Sequence, residues 1–91
     1  MRQEPEYFDD QELVLIYIAK KLKEALQVEE CLTNEQIAYC VETDEYEGGL
    51  IFRTQRTGAF FYVPPTDEEK AIESLQGKGL KPLPAELRSH H

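Results

Sequence analysis

Six apolar residues in succession, Leu13-Val14-Leu15-Ile16-Tyr17-Ile18, form the strongest local signal in the chain. Two readings compete for them. Asp9, Asp10 and Glu12 could open a helix running on to about Asn34. In that helix residues 13 to 18 would be apolar on every side, whereas residues 20 to 32 carry a stripe. A β-rich run whose period changes at Ala19 fits a buried strand feeding a helix better. The helix carries Leu22, Ala25, Leu26, Val28 and Leu32 on one broad face, with lysines and glutamates opposite. Thr33 and Asn34 end it, Asn34 being expected in the left-handed C-terminal position.

Further along, Ile37-Ala38-Tyr39-Cys40-Val41-Glu42 reads as a second strand with Ile37, Tyr39 and Val41 on one side. Asp44 to Glu47 read as an acidic loop ending in Gly48-Gly49. Leu50 to Arg53 and Ala59 to Val63 are predicted as two strands or one bent strand. Gln55-Arg56-Thr57-Gly58 is the turn between them, with Gly58 supplying positive φ. Pro64-Pro65 closes this segment. Thr66 with Glu69 three residues on is a capping box for a second helix buried through Ala71, Ile72 and Leu75 and ended by Gly77 or Gly79. Leu80 to Leu83 are expected as a short edge strand, where Pro82 is tolerable.

This order predicts an α+β domain of the ferredoxin-like, split βαβ type, with two helices on one face of a mostly antiparallel sheet. The domain is placed at residues 12–83. Residues 1–11, polar apart from Tyr7 and Phe8, are expected as a flexible lead-in, and 84–91 as a disordered tail. Ser89-His90-His91 resembles a purification-tag stub, so His90 and His91 carry no chemical argument.

Charge narrows the function classes. Ten Lys+Arg against 18 Asp+Glu give −8. The longest basic run is Lys20, Lys21 and Lys23, too little for the cationic track that nucleic acid or an anionic membrane demands. No apolar stretch approaches the roughly 18–20 residues that span a bilayer. Two cysteines without a secretory signal point to a reducing, cytoplasmic setting.

Glu12-Leu13-Val14-Leu15-Ile16-Tyr17, Glu24-Ala25, Leu32, Ile37-x-Tyr39-x-Val41, Phe61-Tyr62-Val63-Pro64 and Asp67-x-x-x-Ala71 together resemble a small bacterial domain family described as prokaryotic signal-transducing proteins. The resemblance covers roughly residues 12–76 and implies a ferredoxin-like fold and a signalling role. It brings no catalytic residues. The chain departs from the family pattern at Gln36, where a glycine is usual, and in a longer segment from Gly48-Gly49 to Gly58.

Candidate chemistry is sparse. Glu29 falls within the apolar arc of the first helix, where burial would suit a general acid or base, although a carboxylate at the rim is the commoner case. Cys31 and Cys40, nine residues apart, lack the close pairing and extra ligands of a metal site and are expected as small core hydrophobes. Glu42, Asp44, Glu45 and Glu47 lack the ladder of a calcium loop. No cofactor or metal is expected. The better candidate is a shallow site for a small anion or nucleotide-type ligand at the first helix's N-terminus, using Lys20 and Lys21 with Arg53 and Arg56. Lysines there oppose the helix dipole, and the plainer reading is that they offset nearby Glu12, Glu24 and the acidic loop.

One surface calls for a partner. Both alternating sets of the first strand are apolar, and Phe60 and Tyr62 face opposite to Phe61 and Val63. Helices on one side would leave Leu13, Leu15, Tyr17, Phe60 and Tyr62 as a bare face, beyond the roughly 300–600 Å² usual on monomers. A second copy, or the segment with Tyr7 and Phe8, would cover it. The leading expectation is therefore a non-catalytic regulatory or protein-interaction module, a homodimer through its sheet face.

Overall fold

The computed structural model describes residues 2–8, 12–48, 54–84, 86 and 88; for Pro5, 44–48 and 54–57 only the backbone is considered. The element order is β1 (Val14–Ala19), α1 (Leu22–Asn34), β2 (Cys40–Gly48), β3 (Thr54–Val63) and α2 (Glu68–Gly77), with 3-10 turns at Pro5–Phe8 and Pro65–Asp67. Strand order is β1-β3-β2 with both pairings antiparallel, giving an α+β protein. β1 and β2 thus run in the same direction with β3 inserted between them. The expected fourth strand is not formed: residues 80–83 are irregular, yet Leu83 N–H donates to the Ile16 carbonyl at 2.9 Å beside β1. Pro82 and the irregular backbone of β1 at that point limit the pairing to one bond.

β1 is extended because its Val and Ile side chains prefer a pleated backbone, but it is not regular. Leu15 pairs with Tyr62 and Tyr17 with Phe61, so Ile16 is an extra residue opposite β3. This bulge resets the alternation. Ile16 and Tyr17, neighbours in sequence, both join the cluster that contains Val28, Leu32, Phe61, Ala71 and Leu75 beneath the two helices. Ile18, paired with Phe60, goes to the opposite side. Tyr17 is therefore not on the face expected to be bare; Ile18 stands there in its place.

The opposite side is covered from within the chain. Phe8 is 5% exposed and packs with Leu13, Leu15, Cys40 and Tyr62, while Leu83 closes on the same cluster. The first residues are accordingly no loose lead-in: Arg2 bridges Tyr39 in parallel, Gln3 N–H donates to the Tyr39 carbonyl at 2.7 Å, and the 3-10 turn delivers Phe8. Nor is the tail wholly apart from the fold. Arg88 Nη1 lies 2.6 Å from Glu68 Oε2, and its Nε–H donates to the Leu83 carbonyl at 2.9 Å.

β2 begins at Cys40, later than expected, and runs through the acidic segment, so Asp44 to Glu47 form strand and not loop. Gln55 to Gly58 lie within β3 and pair with Asp44 to Glu47, so no turn occurs there. Continuous antiparallel pairing satisfies the backbone groups that a turn would leave to solvent. The expected strand at Leu50–Arg53 lies outside the described residues.

Both helices end in the same device. After α1, Gln36 N–H donates to the Thr33 carbonyl and Ile37 N–H to Leu32, each at 2.9 Å; after α2, Gly79 bonds Gln76 and Leu80 bonds Leu75, each at 3.0 Å. This paired 5→2 and 6→1 pattern needs a left-handed residue. Gly79 provides it at φ 78, and Gln36 at φ 58. Gln36, not Asn34, thus takes the position predicted for Asn34. At the other end of α2 the expected capping box is replaced by the Pro65–Asp67 turn, with no side-chain cap bond.

Candidate functional site

α1 positions the side chains that matter most. Its inner face presents Val28, Cys31 and Leu32 to the core. Its outer face carries Leu22, 76% exposed, and Leu26, 54% exposed, one turn apart. Periodicity puts these leucines on the apolar face with Val28 and Leu32, but the helix is rotated so that only Ala25, of the first-turn apolar residues, packs inward. With Tyr7 they are the exposed large apolar side chains among the described residues. Beside Leu22, an open depression of about 170 Å³ is floored by Ala19, Ala25, Gly58 and Ala59 and bordered by Lys20 and Lys21.

Those lysines adjoin the helix N-terminus as expected, Lys21 being its N-cap without a side-chain cap bond. The N-terminus already holds an anion of its own. Glu24, in the first turn, accepts the Lys20 backbone N–H through Oε1 at 3.1 Å. The same carboxylate lies beside the Tyr17 hydroxyl, whose pKa is raised first by burial and then by that negative charge. An external anion would meet Glu24 at the place where the dipole attracts it. Arg53 lies outside the described residues, and the Arg56 backbone sits in β3 opposite Tyr46.

Glu29 occupies the rim of the core. Its Oε1 accepts the Tyr39 hydroxyl at 2.8 Å. Burial, reinforced by the hydrogen bond and charge of Glu29, pushes the Tyr39 pKa up to about 12. A neutral phenol bonded to a carboxylate at the sheet–helix seam is a structural clasp, and its proton does not move at neutral pH. Cys31 and Cys40 are free and buried. Burial raises both thiols, most strongly opposing thiolate formation; Lys78 partly offsets this at Cys31, and Glu42 adds to it at Cys40. Neither is an activated nucleophile. Among the described residues no three His, Cys, Asp or Glu side chains gather as a metal site. No described helix is long and apolar enough to cross a membrane.

Of the expected interface residues, Leu13, Leu15 and Tyr62 are buried beneath Phe8 and Leu83, Tyr17 lies under the helices, and Phe60 is half-buried. Sequence reasoning missed Leu22 and Leu26 as a surface. The signal was present in the lysines flanking Leu22, which place its side of the helix toward water. No family model, curated protein or solved structure matches the chain, so the resemblance to prokaryotic signal-transducing proteins stands on the residues quoted for it alone.

Proposed function

We propose that this protein is a non-catalytic regulatory or protein-interaction module that docks through the outer face of α1. The observation that carries this reading is the pair Leu22 and Leu26, exposed one turn apart on α1, where among the described residues Tyr7 is the other exposed large apolar side chain. Exposed leucines in adjacent helical turns, next to a depression floored by alanine and glycine, fit an apolar contact better than a small polar ligand. Phe8 and Leu83 pack over Leu13, Leu15 and Tyr62, which supports the helix over the sheet as the docking surface. A weak anion site at Lys20 and Lys21 is the alternative; the Glu24 carboxylate at the same helix end counts against it.

The test is a photo-crosslinking amino acid at Gln27, exposed on α1, and at Glu73, exposed on α2, in cells that produce the protein. A discrete covalent adduct from position 27 and none from position 73 is expected. No adduct from position 27 contradicts the reading.

A further inference from the structure

Apart from Glu24 in the first turn, the charges of α1 run against its own dipole. Lys20, Lys21 and Lys23 stand at the N-terminal end, Glu29, Glu30 and Glu35 toward the C-terminal end, and the last turn has no basic residue. Each placement is unfavourable for a helix alone, since the N-terminus carries partial positive and the C-terminus partial negative charge. Laid antiparallel against a copy of itself about its first turns, the helix opposes the two dipoles and carries each acidic half past the partner's lysine-bearing start. Laid parallel, lysines would face lysines.

The exposed stripe agrees with that arrangement. Leu22, Leu26 and Glu30 recur at helical spacing on the side of α1 remote from Val28, Cys31 and Leu32. A twofold axis crossing between Leu22 and Leu26 sets each leucine against the other leucine of the partner. It also brings Glu30 across from the partner's lysine-bearing helix start. A twofold contact requires such self-complementarity.

We propose that a second copy of this chain occupies the outer face of α1, the two helices packing antiparallel about an axis between Leu22 and Leu26. This rests on the docking reading above and names its partner. The wider surface agrees, because the depression beside Leu22 gives the partner's leucines room at the helix flank.

A charge exchange tests it with purified protein. One variant carries Lys21→Glu and Lys23→Glu, the other Gln27→Lys and Glu30→Lys; all four positions are exposed. In sedimentation velocity the wild type should associate as concentration rises. Each variant alone should remain monomeric, and an equimolar mixture should recover the dimer. Folding is checked independently at a concentration where the wild type is monomeric: the first variant favours the α1 dipole and should melt no lower than wild type there. Spin labels at Asn34 should lie about 30 Å apart in the wild-type background, ten residues of helix rise on each side of the axis. A monomeric wild type, variants that still dimerise, a mixture that stays monomeric, or labels within about 15 Å overturns the proposal. Failure here with a position-27 adduct to a different protein would leave docking through α1 standing, whereas absence of any adduct removes both.

Discussion

Gln36 carries a cost that the rest of the chain absorbs. At φ 58 it sits in the left-handed region, where a Cβ crowds the following carbonyl, and it stays there because two backbone bonds and the burial of Ile37 require the reversal. Gln36→Gly should therefore stabilise the protein by about 1 kcal/mol in urea denaturation; an unchanged or lowered midpoint contradicts the assignment of strain. Tyr39 gives a second test at this scale. Its folded pKa, about 12, lies above the ordinary 10, so the native chain holds the proton longer than the unfolded one. That contribution to stability is complete below pH 10 and is lost as pH rises through about 12. A difference titration of phenolate absorbance, wild type minus Tyr39→Phe, should have its midpoint near 12. A midpoint near 10 would mean that Glu29 and burial do not act on this hydroxyl.

Among the elements, β1, α1 and α2 were legible in the sequence because a change of period is visible there: continuous apolar residues, then a stripe. The bulge was not. When both faces of a strand are apolar, shifting the register by one residue costs no buried hydrophobicity, so alternation cannot say that Ile16 and Tyr17 share a side. The length of the β2–β3 hairpin escaped for the opposite reason. Asp44, Glu45 and Glu47 are polar enough to read as loop, and only their pairing with Gly58, Thr57 and Gln55 makes them strand. The candidate surface on α1 was half legible: periodicity defines an apolar arc, but contacts with α2 and the sheet decide which edge of it is turned to water. The N-terminal segment offers an element-scale prediction. Phe8, 5% exposed, is the residue by which this segment joins the cluster of Leu13, Leu15, Cys40 and Tyr62. Phe8→Ala should destabilise by about 3 kcal/mol with an unchanged dependence on denaturant. A loss under about 0.5 kcal/mol would show that the cover is not packed.

At the scale of the whole molecule, the described part of the sheet is packed on both sides, under two helices on one and against Phe8 and Leu83 on the other. Among the described residues the exposed large apolar side chains are Leu22 and Leu26 on α1, and Tyr7. An acidic chain of net charge −8 repels its own copies at long range, so self-association needs a local patch of opposite charges, and Lys20, Lys21 and Lys23 are grouped at the start of the helix that bears the leucines. The account thus turns on which apolar face does the docking. The most direct measurement is sedimentation velocity, over a concentration series, of wild type, Leu22→Asp/Leu26→Asp and Phe60→Ser. Association lost in the α1 variant and retained in the Phe60 variant is the predicted result. Association that survives the two aspartates and disappears with Phe60→Ser would contradict it and return the interface to the sheet.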